Sequence, residues 1–181
     1  LAPLAASVLG LITALESAWR LAFLDALTGL PGRRALNDKL SSLGRRYAIA
    51  IVDIDHFKNF NDRYGHDEGD VVLRQVAGVL AGVRGGSAYR MGGEEFALVF
   101  TGRSADRAMG EVDRLRNKVA DISLRPTTAK GRHRRRPVRV TFSAGVCQRA
   151  ARMAPSTVLT SADKALYRAK KAGRNRVIAT K

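Results

Sequence analysis

The stretch YAIAIVDID at residues 47–55 constrains the fold more than any other part of the chain. It is rich in β-branched residues, almost continuously apolar, and ends in carboxylates. Such a run is typical of a strand that is covered by other elements on both faces. We therefore expect a central strand whose polar chemistry lies at its C-terminal end.

The rest of the chain alternates between helical and strand patterns. Apolar spacing predicts helices at 33–43, 67–82 (starting at Asp67 or Gly69), 104–121 and 156–172. Residues 87–91 and 94–101 are predicted as the arms of a hairpin with a Gly-Gly turn, and 138–147 and 175–179 as further strands. The element order is helix, strand, helix, helix, hairpin, helix, strand, helix, strand. It predicts an α/β sandwich around a mixed, largely antiparallel sheet.

The charge of the chain favours a polyanionic partner. Its 181 residues make one domain of ordinary size, and 32 Lys and Arg against 16 Asp and Glu give a net charge of +16. Nucleic acid, an anionic membrane surface and nucleotide phosphates all fit such a field. No alternation of aromatic and basic residues offers a stacking platform, so we expect no nucleic acid. The Arg-rich loop 130–136 is interpreted as a solvated loop, with contact to anionic lipid as a weaker hypothesis.

The first 24 residues have a different character from the rest. Residues 1–15 carry no charge, and apolar residues recur there at helical spacing. We expect 1–24 to be either the end of a membrane segment or, the favoured alternative, an amphipathic connector helix. Such a connector either packs on its own domain or pairs two copies. The catalytic domain then covers 25–181. The single cysteine, Cys147, excludes an internal disulfide framework and fits a cytoplasmic domain, which a membrane-anchored parent protein can carry.

Carboxylates follow two of the predicted strands. Asp53 and Asp55 share one side of the central strand, and Glu94 begins the outgoing arm of the hairpin within RMGGEEF, residues 90–96. If these strands are neighbours, the carboxylates converge, and they then need a cation between them. Oxygen ligands of this kind suit Mg²⁺ or Mn²⁺.

Polar residues suited to a nucleotide lie after this strand and at the end of the last helix. An Asp that accepts two hydrogen bonds and an Asn that offers both kinds, Asp70 and Asn61, can together read the edge of guanine. Lys170, in the last helical turn, and Arg174, after Gly173, suit a triphosphate. Each residue taken singly also has an ordinary structural explanation, such as a turn or a helix-dipole charge. Only the joint pattern favours a nucleotide site.

These residues occur in five motifs, DALTGLPGRR, DIDHFKNFNDRYGHDEGD, RMGGEEF, TFSAGV and ADKALYRAKKAGRN, which span residues 25 to about 177. In their order and spacing the chain closely resembles the GGDEF family of diguanylate cyclases, in the GGEEF variant. The resemblance implies a palm-like fold akin to nucleotidyl cyclases, with a mixed central sheet surrounded by helices. It implies a Mg²⁺- or Mn²⁺-dependent homodimer that condenses two GTP into cyclic di-GMP and releases pyrophosphate.

The resemblance also implies roles for individual residues. The metal would be held by Asp53, the backbone carbonyl of Ile54, and Glu94. Glu94 would also help to deprotonate the attacking hydroxyl, and Glu95 would support the second metal or the turn. The substrate-binding residues would be Phe57, Lys58, Asn61, His66, Asp70, Lys170 and Arg174, with Asn61, His66 and Asp70 at the guanine and ribose and the three cations at the phosphates.

One departure from the family concerns product inhibition. Val83 and Gly86 stand where the family's inhibitory Arg-x-x-Asp would lie, so we expect weak or absent feedback inhibition of that type. The alternative to an enzyme is a degenerate relative that binds GTP or cyclic di-GMP as a signalling module. Such relatives usually lack the motif carboxylates or guanine readers, whereas Asp53, Glu94 and Asp70 are all present here.

Overall fold

The computed structural model describes residue 14, residue 19 and residues 21–126 and 137–180. Its helices are α1 (Arg33–Ser41), α2 (Phe57–Tyr64), α3 (His66–Ala81), α4 (Ala108–Ala120) and α5 (Pro155–Lys171). Its strands are β1 (Tyr47–Ile54), β2 (Gly86–Gly92), β3 (Glu95–Thr101), β4 (Phe142–Gln148) and β5 (Val177–Ala179). The predicted order of elements is confirmed. The predicted loop 130–136, and most of the predicted connector 1–24, lie outside the described residues.

The described strands form a single sheet in the order β2-β3-β1-β4-β5. Every neighbouring pair is antiparallel except β4 and β5, which are parallel. Every residue of β1 is buried. The predicted mixed sheet and its covered central strand are therefore confirmed.

Alternating side chains of β1 serve two separate layers of helices. Ala48, Ala50, Val52 and Ile54 belong to a core formed with α2, α3 and α4. Tyr47, Ile49 and Ile51 belong to the opposite core, formed with α1 and α5. By this alternation Asp53 lies on the side of α5. Within the described residues, no helix is long and apolar enough to cross a membrane.

Three elements begin two or more residues later than predicted. The strand expected at 138–147 begins at Phe142, because that residue pairs with Ile54, where β1 ends. The helix expected at 104–121 begins with a short 3₁₀ helix, Gly102–Arg107, and becomes α-helical only at Ala108. The strand expected from residue 175 begins at Val177, because Asn175 has a positive φ, which does not occur in a strand.

Helix α5 packs directly on β4 at Gly145, within TFSAGV. A Cβ at this position would overlap the backbone oxygen of Ala162 and the backbone nitrogen of Leu166, and would lie 2.7 Å from the carbonyl carbon of Ala165. The absence of a side chain thus lets the helix backbone touch the sheet. This close approach brings the C-terminal turn of α5, with Lys170, to the end of β1.

Candidate active site at the end of the central strands

The hairpin turn lies beside the end of β1, as predicted. Asp53 is directly opposite Glu95 in the pairing of β1 with β3. The backbone N–H of Ile54 donates to the backbone oxygen of Glu94 over 3.4 Å. Gly93, in the turn itself, has a φ of 53°, a conformation that glycine adopts without strain. The backbone of both motif glutamates therefore lies at the C-terminal end of the central strand.

The turn is held in place by Arg90, and Arg90 by Asp25 at the start of the domain. Arg90 donates through Nη2 to the backbone oxygen of Gly93 over 2.8 Å, and through Nη1 to Asp25 Oδ1 over 2.8 Å. Asp25 also accepts from the backbone N–H and the hydroxyl of Thr28, at 2.9 and 2.6 Å. These roles were not predicted from the sequence. The available signal was only that Asp25 opens a turn segment and that Arg90 precedes the two glycines.

Asp53 is a buried carboxylate that already has a cationic neighbour. Its exposed fraction is 6%, and Lys170 Nζ lies 2.8 Å from Asp53 Oδ2. Burial raises the pKa of Asp53, and the Asp55 carboxylate adds to this, although Lys170 and Arg174 act in the opposite direction. The site therefore favours additional positive charge beside Asp53.

The atoms around this position suit a hard divalent cation. The carboxylates of Asp53 and Glu94 and the backbone carbonyl of Ile54, which the family resemblance implies as ligands, would form an all-oxygen donor set, which Mg²⁺ and Mn²⁺ prefer. No group of three His, Cys, Asp or Glu side chains among the described residues is placed to hold a metal. In proteins Mg²⁺ commonly takes only one or two carboxylates, and phosphate oxygens and water complete its coordination. The residues present therefore fit the expected metal.

The nucleoside candidates lie on α2 and α3, which pack against each other. Asn61 on α2 contacts Gly69 on α3: a Cβ at Gly69 would overlap the Asn61 amide oxygen and would lie 2.9 Å from its Cγ. That oxygen is buried and accepts no hydrogen bond within the described part of the chain. Packing against Gly69 thus fixes the position of this amide. Asp70, the partner expected to read guanine, is the residue next to Gly69.

The remaining candidates on these helices are spread from surface to core. Lys58 and His66 are exposed, as expected of groups that meet a soluble ligand. Phe57 has its side chain buried in the core with α3, and its ring lies beside the same glycine as Asn61: its Cζ would be 3.2 Å from a Cβ at Gly69. The structure brings Asn61 and Phe57 against Gly69, the residue that precedes Asp70.

The other expected phosphate group, Arg174, lies in the loop after α5. Gly173, Arg174 and Asn175 have φ values of 107°, 62° and 43°. The backbone N–H of Asn175 donates to Asp55 Oδ2 over 3.0 Å. Asp55 therefore binds this loop, while Asp53 faces Lys170.

The positions expected to lack product inhibition have no carboxylate and little room for one. A Cβ at Gly86 would lie 2.9 Å from the ring of Phe100 and 3.0 Å from the backbone oxygen of Val99. The backbone N–H of Arg84 donates to Glu111. Reduced feedback inhibition remains a prediction.

Comparison with known proteins agrees with this geometry. Residues 22–176 match the family described as diguanylate cyclase, GGDEF domain. The chain is 39% identical over 172 residues to diguanylate cyclase DgcP of Pseudomonas aeruginosa PAO1, covering 90% of this chain and 25% of that protein. It is 37% identical over 163 residues to diguanylate cyclase VdcA of Vibrio cholerae, covering 87% of this chain and 47% of that one.

A solved structure shares the whole architecture. The coiled coil and GGDEF domain of DgcB from Caulobacter crescentus, in complex with c-di-GMP, superposes with a TM-score of 0.87 at 34% identity, covering 99% of this chain and 96% of that one. The chain belongs to the GGDEF family of diguanylate cyclases, which are nucleotidyltransferases. It spans between a quarter and about half of the length of the two curated relatives described above.

Proposed function

We propose that this domain is an active diguanylate cyclase that condenses two GTP into cyclic di-GMP and two pyrophosphates with Mg²⁺ or Mn²⁺. The observation that carries the proposal is the buried Asp53 carboxylate, opposite Glu95, beside Glu94 and in contact with Lys170. Carboxylates and cations thus meet at one end of a rigid strand. A metal–triphosphate group has the complementary arrangement of charges.

The residues at the C-terminal end of β1 have separate roles in binding the metal, accepting the proton and neutralising the phosphates. Asp53, the Ile54 carbonyl and Glu94 would hold the metal, which when bound neutralises charge on the phosphates and favours ionisation of the attacking 3′-hydroxyl. Glu94 would take up the proton of that hydroxyl. Lys170 and Arg174 are cations that can neutralise the phosphates, with Lys58 exposed on α2 as a third.

Residues on α2 and α3 would select the guanine base. Asn61 and Asp70 supply an amide and a carboxylate, which match the adjacent donors and acceptor of guanine. Adenine lacks this pattern, so GTP is the preferred nucleotide. His66, exposed at the start of α3, completes the ribose end.

Reaction requires two such sites face to face, because each domain binds one GTP and the product contains two. We infer that the protein acts as a homodimer, with residues 1–24 as the pairing helix and 25–181 as the catalytic domain. The similarity of the chain, over 99% of its length, to a structure described as a coiled coil and GGDEF domain supports this division. A cytoplasmic location follows from the use of GTP, whether or not the parent protein is tethered to a membrane.

The test is incubation with GTP and Mg²⁺, with products identified by chromatography and mass. Glu94→Gln is measured in parallel, and Asp38→Asn, an exposed carboxylate on α1, is the matched control. We expect cyclic di-GMP from the wild type and the control and at least about a hundredfold less from Glu94→Gln. GTP binding without product, even at protein concentrations that favour dimers, would instead support the non-catalytic binding module.

A further inference from the structure

We propose that Asp55, Asn175 and Arg116 form a positioning unit that fixes the loop carrying Arg174 against the metal-binding end of β1. The inference deepens the proposed function and rests on it. None of the three touches the reacting groups in this arrangement. They act through Arg174, whose guanidinium is the candidate phosphate ligand.

The loop that carries Arg174 needs to be held. Arg174 has a φ of 62° and Asn175 a φ of 43°, both in the left-handed region. Asn tolerates this conformation, but for Arg it is unfavourable and persists only when the surrounding contacts impose it. Arg174 itself donates its backbone N–H to the backbone oxygen of Ala169 over 3.1 Å, and its carbonyl accepts from Arg176 Nε over 3.0 Å. The contacts of the neighbouring Asn175 then join this turn to the sheet and to α4.

Asp55 holds the backbone of the loop. It accepts hydrogen bonds from Thr141 Oγ1 and Ser143 Oγ, both at 2.7 Å, and from the backbone N–H of Asn175 at 3.0 Å. Its exposed fraction is 8%, so this buried carboxylate is satisfied by donors from two separate segments. Because Asp55 directly follows β1, it joins the loop to the strand that ends with Asp53 and Ile54.

Arg116, on α4, holds the side chain of the same residue. Its Nη1 donates to Asn175 Oδ1 over 2.7 Å. Its Nε donates to Asp113 Oδ1 and its Nη2 to Asn117 Oδ1, each over 2.7 Å. With all three nitrogens engaged, the planar guanidinium has one orientation. Asn175 is thus clamped from the sheet and from α4.

The consequence is a fixed geometry between the metal-binding and phosphate-binding halves of the site. Displacement of a binding group by about 1 Å can lower the rate by about a hundredfold. Loss of the clamp on Asn175 should therefore act through Arg174, on GTP binding and turnover, more than on the stability of the whole domain.

The experiment uses Arg116→Gln, with Arg114→Gln as the matched control. Arg114 lies on the same helix and pairs with Glu111 three residues earlier, just as Arg116 pairs with Asp113, but its other contact is Gly82. We expect Arg116→Gln to raise KM for GTP by about five- to tenfold, while Arg114→Gln leaves KM within about twofold. Both variants should unfold at similar temperatures.

A double-mutant cycle separates positioning from a general structural effect. In an Arg174→Ala background, Arg116→Gln should change KM by less than about twofold, because the group it positions is gone. Asn175→Gly keeps the backbone conformation without the amide and should reproduce the KM increase even if Arg116→Gln folds poorly. Amide hydrogen exchange gives a readout independent of activity: exchange at Asn175 should be slow in the wild type and faster in Asp55→Asn.

The outcomes are distinguishable. Independent, additive effects of Arg116→Gln and Arg174→Ala, or equal KM for the Arg116 and Arg114 variants, would overturn the positioning unit while leaving the cyclase intact. A wild type that neither binds GTP nor forms product would overturn the proposed function, and this inference with it.

Discussion

Substitution of Gly145 by alanine tests whether the contact between α5 and β4 sets the geometry of the site. The added methyl group would overlap the backbone of α5 at Ala162 and Leu166, and its distance of 2.7 Å to the Ala165 carbonyl carbon compares with an optimal carbon–carbon contact of about 3.5–4 Å. The obstacle is main chain, so no side-chain rotation relieves it. The helix must retreat by about 1 Å or more.

Two effects of different size follow from that retreat. Overpacking of a core costs about 1–3 kcal/mol, and a clash with helix backbone belongs at the upper end of that range. For a domain of this size, about 3 kcal/mol corresponds to a decrease in melting temperature of roughly 6–12 °C. Lys170 is carried by the same helix, so a displacement of about 1 Å should also lower the turnover of GTP by about a hundredfold in the molecules that remain folded.

The assay is urea unfolding together with cyclase activity. The matched control is Gly78→Ala: Gly78 is exposed within α3, and a Cβ there meets nothing within 4 Å. This control should gain about 0.5–1 kcal/mol from its higher helix propensity. If Gly145→Ala retains wild-type stability within about 0.5 kcal/mol and full activity, the reasoning that this contact positions α5 is refuted.

Three further substitutions give separate tests. Burial raises the pKa of Asp53, so folding favours its protonated form, and ionisation of Asp53 costs stability as pH rises through that pKa. Asp53→Asn should therefore abolish activity yet raise the free energy of unfolding at pH 7. In urea titrations this difference in unfolding free energy should shrink toward pH 4. Gly69→Ala should displace the Asn61 amide and raise KM for GTP by about tenfold, with little change in kcat. An unchanged KM in steady-state kinetics would exclude Asn61 from base recognition. Arg90→Ala removes the ion pair with Asp25 and the contact with the hairpin turn. It should lower kcat by more than about tenfold and accelerate amide hydrogen exchange in the hairpin. Unchanged hydrogen exchange would contradict the role of Arg90 in anchoring the turn.

The order of elements was predictable because burial leaves a local pattern. The nearly continuous apolar run of β1 follows from its cover on both faces, and helical spacing of apolar residues reveals which side of each helix is buried. The carboxylates at the ends of β1 and the hairpin were expected to converge only on the condition that the two strands were neighbours. The start of β4 was not predictable in this way because it depends on a partner: β4 begins at Phe142, opposite Ile54, where β1 ends.

Much of what fixes the site was not predictable from local pattern. Arg90 meets Asp25 across 65 positions of the chain, and Arg116 meets Asn175 across 59. An arginine on an exposed-looking helix has many equivalent partners in the sequence, and only the fold selects one. Likewise nothing in the strand pattern around Gly145 indicates that the backbone of α5 packs against it.

The two aspartates of the motif DID, Asp53 and Asp55, have different roles although they lie on the same strand end. Side-chain alternation predicted that Asp53 and Asp55 would lie on one side, but it could not assign them different tasks. Asp53 contacts Lys170, yet burial still raises its pKa, so a further cation beside it would be favourable. This suits a metal ligand. Asp55 has its oxygens engaged by Thr141, Ser143 and the backbone N–H of Asn175, which suits a residue that holds the scaffold. The available hydrogen-bond donors, rather than the residue type, therefore decide which carboxylate binds a ligand and which one positions it.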